Sequence, residues 1–131
     1  MLIQFLIIGL GGACGSCLRA FLSLVFINKN AVFGMAFPLS TFIINAIGCF
    51  FAGCFFAIFN HYLLNNHLLQ KFILIGFFGG FTTFSAFSID FLRLFLSGHH
   101  YQAIFYTVLS LTISIIAVFI GYFLILNFSN Y

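Results

Sequence analysis

Apolar residues come in four long runs, at about Leu2 to Ile27, Phe37 to Asn60, Phe72 to Leu96 and Tyr101 to Leu126. A helix that crosses a bilayer needs roughly 20 mostly apolar residues, so each run predicts one spanning helix. Polar punctuation separates them: Asn28-Lys29-Asn30, then Asn60-His61 through Asn65-Asn66-His67 to Lys71, then Ser97-Gly98-His99-His100. Little sequence is left over for a soluble domain. The expected fold class is an all-α integral membrane protein, with residues 1–131 forming a single four-helix transmembrane domain.

The third run is written unlike a plain lipid anchor. Gly79-Gly80-Phe81-Thr82-Thr83-Phe84-Ser85-Ala86-Phe87 places two glycines, two threonines and a serine at mid-membrane. Paired glycines followed by two β-branched residues weaken a helix, and backbone groups freed in a bilayer need protein, water or an ion as partners. A break in the third helix is therefore predicted, and such breaks mark ion or substrate sites.

Polar residues within lipid are costly and face the interior. Thr41, Asn45, Gly48 and Ala52 share one face of the second helix, and Tyr106, Ser110 and Ser114 one face of the fourth. Each stripe reads either as interhelical glue, worth about 0.6 kcal/mol per contact, or as a pathway. Neither holds an acid or a histidine, which argues against a proton relay; amide and hydroxyl donors suit an anion. Phe84 and Phe87, three apart after the break, could add the positive edges of their rings. With 23 phenylalanines in the chain, only their place beside the break separates these two from lipid-facing or core-filling rings. Gly11 and Gly15, Gly48 and Ala52, and Gly76 and Gly80 form small-xxx-small pairs that let helices approach backbone to backbone, within one chain or between two.

Composition agrees with the pattern: 64% of residues are hydrophobic, 4% are charged, and the mean hydropathy is +1.27. The N-terminus lacks a basic region, so no cleavable signal is expected, and Leu10-Gly11-Gly12-Ala13-Cys14 is not read as a lipoprotein site. Cys14, Cys17, Cys49 and Cys54 all fall in spans and read as small buried apolar residues, although Cys14 and Cys17 have a C-x-x-C spacing. His61, His67, His99 and His100 lie in or beside loops and read as solvated. Lys71 marks one side of the membrane, against Lys29 and Arg93 on the other. So small a bias does not fix one orientation, which makes insertion both ways and antiparallel dimers possible. Arg19 could draw anions at a vestibule, snorkel to the interface, or pair with Asp90; Asp90, the only acid, could instead pair with Arg93 three residues on.

These motifs resemble the small bacterial fluoride channels, the CrcB or Fluc family. Gly11-Gly12 with Gly15 and Arg19 is similar to the family's first-helix signature. Phe37-Pro38 through Thr41, Asn45 and Gly48 is similar to its second-helix pattern, and Gly79 through Ser88 to its third-helix motif. Tyr106, Ser110 and Ser114 fall where the family carries a polar track. Asp90 stands where glutamate is usual, and Ala86 where threonine is.

The resemblance implies a dual-topology antiparallel homodimer with two fluoride pores. It also implies a structural sodium ion, not transported, held by backbone carbonyls of Gly79 and Thr82 from both copies. Phe84 and Phe87 would line each pore with Asn45, Ser110, Ser114 and Tyr106, with Thr41 near them and Arg19 at the vestibule. The implied activity is passive fluoride export from a bacterial cytoplasm across the cell membrane (the inner membrane in a Gram-negative cell), with no enzymatic step. A small dual-topology multidrug antiporter is the first rival, but it needs an acid in the first helix, and this chain has none there. A non-transporting scaffold subunit is the second, and would need neither the break nor the stripes.

Overall fold

The structure, a computed structural model, describes residues 1–26, 37–63 and 66–129 and contains four helical spans. α1 covers Leu2–Phe26 and α2 Leu39–His61. The third span, His67–Leu96, is composite: α3 at His67–Gln70, a π-helical stretch at Lys71–Phe77, α4 at Phe78–Phe81 and α5 at Phe84–Leu96. α6 covers His100–Ser129. Ile27, at the end of the first predicted run, and the punctuating Asn28, Lys29, Asn30 and Asn65 lie outside the described residues.

Two helix starts depart from the hydropathy runs, each for a local reason. Pro38 precedes α2 with φ −75° and ψ 68°, so the helix begins at Leu39 and Phe37 is left to pack as a ring. The residue before a proline is steered away from helical backbone. The third span starts five residues earlier than its run because Asn66 caps it, its Oδ1 accepting from Leu69 N–H at 3.2 Å. At the far end, α5 stops at Leu96, and Gly98 two residues on, with a φ of +80°, lets His99 N–H reach back to Leu94 C=O at 3.0 Å.

Two glycine seams set the packing. Gly11 and Gly15 of α1 interdigitate with Gly76 and Gly80 of the third span. A Cβ on Gly15 would collide with Phe77 O, one on Gly80 with Gly12 O, and one on Gly76 would stand 2.7 Å from Ile8 O. These predicted small-residue pairs therefore serve contacts within the chain. α2 and α6 form the second seam, where a Cβ on Gly53 would strike Val118 O and one on Gly121 would strike Phe50 O. Gly48 sits against Phe81 and Thr82.

Phe87, Leu94, Ala103 and Tyr106 make a buried cluster between α5 and α6, with Phe37, Phe42 and Phe91 packed around it. The outward surfaces are apolar on every span, and α1 buries only Gly11 and Gly15. A water-soluble protein could not tolerate such a surface, whereas lipid tails impose no penalty on it. The chain is a multi-pass membrane protein.

Candidate functional site

The helix break lies at Thr82 and Thr83, both extended, with φ/ψ of −82°/151° and −148°/118°. Gly79 and Gly80, which the sequence marks as the weak point, remain helical in α4. The missing side chain of Gly80 serves close approach to α1, whereas Gly79 faces open space, and the interruption falls on the β-branched pair that follows.

A break leaves orphan backbone groups, and side chains from three elements take most of them. Asn45 of α2 closes on Thr83 from both sides: its Oδ1 accepts from Thr83 N–H at 2.8 Å and its Nδ2 donates to Thr83 C=O at 3.2 Å. Thr83 Oγ1 caps α5 by accepting from Ala86 N–H at 3.2 Å. Thr82 N–H and Oγ1 both donate to Phe78 O, at 2.9 and 2.8 Å. From α1, Arg19 Nε and Ser16 Oγ donate to Gly80 O at 3.2 and 3.4 Å. No hydrogen bond among the described residues engages the carbonyls of Gly79 or Thr82. Gly79 is exposed, and a Cβ there would meet nothing within 4 Å.

Beside the break lies a cavity of about 200 Å³ between α2, α5 and α6. Of the residues predicted for a pathway, Asn45, Phe84, Phe87, Ser110 and Ser114 line it. Phe84 is largely exposed and Phe87 buried, with ring centroids 5.3 Å apart. Tyr106 continues the line as a ring, 5.2 Å from Phe87 and edge-on to Phe37 at 5.4 Å. No residue lining the cavity carries a charge.

The two polar stripes have different fates. The α2 stripe is engaged with the third span: Asn45 holds Thr83, and Thr41 Oγ1 donates to Asp90 Oδ2 at 2.6 Å. Thr41 does not line the cavity. On α6, the hydroxyls of Tyr106 and Ser110 are fully buried and make no hydrogen bond, although Thr41, Ser110 and Asp90 stand close to the phenol. A buried donor left unpaired costs about 1–3 kcal/mol. The α6 stripe thus keeps the Tyr106 and Ser110 hydroxyls inside the bundle without a hydrogen bond, free to donate.

Arg19 and Asp90 do not pair with each other. Arg19 bonds Gly80 O, and Asp90 meets Arg93 Nη1 at 3.5 Å as well as Thr41. Cys49, Thr82 and Thr83 also line the cavity, beyond the residues expected there. Cys49 carried a usable signal, since it follows Asn45 by four residues and so shares its helix face. Among the described residues, no group of three or more His, Cys, Asp or Glu side chains could hold a metal ion.

The sequence matches the family model described as "CrcB-like protein, Camphor Resistance (CrcB)" over residues 6–122. It is similar to three proteins named "Fluoride-specific ion channel FluC". One from Azobacteroides pseudotrichonymphae genomovar. CFP2 is 36% identical over 95% of this chain and 97% of the relative. One from Helicobacter pylori strain HPAG1 is 38% identical over 95% and 94%, and one from Rhizobium leguminosarum bv. trifolii strain WSM2304 is 38% identical over 92% and 94%.

Proposed function

The chain belongs to the CrcB family, and from that membership we propose that it is a fluoride-selective channel through which a bacterial cell loses cytoplasmic fluoride passively. The observation that carries this reading is the pair of buried, unpartnered hydroxyls on α6, beside a cavity edged by Phe84 and Phe87 and lined by no charge. A small anion accepts hydrogen bonds and offers none, so it completes donors that a cation would leave unsatisfied. Ring edges extend the same preference. Hydrogen fluoride enters a cell as a neutral weak acid and dissociates there; a membrane negative inside then drives the anion out.

Asn45, Phe84, Phe87, Tyr106, Ser110 and Ser114 form the route, and Thr41 contributes by holding Asp90. Arg19 draws anions at the vestibule, since its bond to Gly80 O uses only Nε. The channel is a homodimer of antiparallel copies, placed by the chain's weak charge bias in both orientations. The support is energetic: unpaired carbonyls facing lipid would each cost several kcal/mol, and a second copy covers those of Gly79 and Thr82. These oxygens fit a structural sodium ion, two from each copy, because a hard cation takes oxygen ligands and needs no side-chain charge here.

Purified protein in fluoride-loaded liposomes tests the reading. With a potassium ionophore to balance charge, fluoride should leave and chloride far less. Equal release of both anions would reject fluoride selectivity, and release of neither would favour a non-transporting role.

A further inference from the structure

We propose that Cys49 is a covalent modification site inside the pathway, where small, neutral thiol-reactive molecules attach and stop the passage of anions. The inference rests on the channel reading and adds a ligand class to the same cavity. Cys49 follows Asn45 by one helical turn, lines the cavity wall and lies beside the Ser114 hydroxyl. Its position differs from that of the other three thiols: Cys14 and Cys17 are exposed on α1, among lipid-facing residues, and Cys54 is buried against the α2–α6 seam. A second observation points to an occupant independently of the thiol. Ser110, 5% exposed, lines the same cavity with an unpartnered hydroxyl, so the space holds a donor ready for an entering molecule.

Charge selects the reagent class. A wall of amide, hydroxyl and ring edges with no acid gives a cationic reagent no counter-charge for the water it loses, and a span interior excludes large ones, which leaves neutral molecules of a few heavy atoms. Methyl methanethiosulfonate is such a probe. The Cys49 thiol loses its proton to water, and Sγ attacks the divalent sulfur of the reagent. One S–S bond forms to the methylthio group while the bond to the sulfonyl sulfur breaks, and methanesulfinate leaves with the electron pair. The product is a mixed disulfide carrying two added heavy atoms in a cavity of about 200 Å³ that an ion has to cross. Excess dithiothreitol reverses it by exchange.

The experiment uses the full chain in liposomes, with fluoride efflux and peptide mass read on the same sample before and after the probe. The expected result is a methylthio group on Cys49, a fall in efflux of about tenfold or more, and recovery of both with dithiothreitol. Cys14→Ser/Cys17→Ser should respond as the unaltered chain does. Efflux of Cys49→Ser, whatever its starting level, should be insensitive to the probe. Cys49 labelled with efflux unchanged, or block that persists in Cys49→Ser, would overturn the proposal, as would labelling confined to Cys14 and Cys17. If untreated protein releases no fluoride, the channel reading fails instead, and the mass data still decide whether Cys49 can be reached.

Discussion

Asn45 devotes its carboxamide to one residue, accepting from Thr83 N–H and donating to Thr83 C=O. In Asn45→Asp the donor becomes a carboxylate oxygen facing a carbonyl, and a negative charge enters the cavity wall. Like charges a few ångströms apart repel by about 4 kcal/mol at an effective dielectric near 20, so fluoride flux in liposomes should fall by roughly a hundredfold or more. Unchanged flux would reduce Asn45 to a packing residue. Ser110→Ala separates pathway from glue: loss of an unpartnered buried hydroxyl should leave the thermal midpoint level or raise it, yet lower fluoride flux. A lower midpoint with flux intact would mean that the hydroxyl serves packing. Helical spacing alone groups Thr41 with Asn45 and Ser110 with Ser114, and the faces are those the structure shows. Spacing along one helix cannot reveal what another helix presents, however. Thr41, expected near the pore contacts, donates to Asp90, 49 positions away in the chain, a partner that α2 spacing does not show.

Between elements, glycines decide how near two backbones come. Gly15→Ala would drive a methyl into Phe77 O, and overpacking of this kind costs about 1–3 kcal/mol. Gly12→Ala, whose Cβ would stand 3.8 Å from Gly76 O, should be nearly neutral. Unfolding midpoints in detergent compare them; equal shifts would contradict the α1 seam. The α1 seam was legible because its glycines recur at four-residue spacing on both helices. Gly53 and Gly121 pack against carbonyls of the facing helix and also have small residues four positions away, Ala57 and Ala117, so the α2–α6 seam carried the same signal, in Gly/Ala form and without a second glycine to make it stand out. The break was legible as a region but not to the residue, since Gly-Gly weakens a helix in isolation while α1 packs on Gly80 and bonds its carbonyl, and the helix runs on to Phe81.

At the scale of the whole molecule, Gly79 offers the cleanest test of assembly, because a side chain there meets only open space in one copy. Gly79→Val should therefore fold but lose the dimer, read by cross-linking in lipid, whereas Thr82→Ser keeps its backbone carbonyl and should retain both dimer and flux. A dimeric, conducting Gly79→Val would place the interface elsewhere. Exhaustive exchange of sodium for a large organic cation should abolish fluoride flux after long incubation, and undiminished flux would refute the structural ion. The two-sided clasp of Asn45 on Thr83 has a further bearing on temperature. Two hydrogen bonds, each worth about 1 kcal/mol, tie the interruption in the third span to α2 and oppose its swivelling. If that joint stays closed while an ion passes, the barrier to crossing is chiefly the stripping of its water. Conduction should accordingly follow a single straight Arrhenius line, with a slope that reports dehydration and not the melting of a helix.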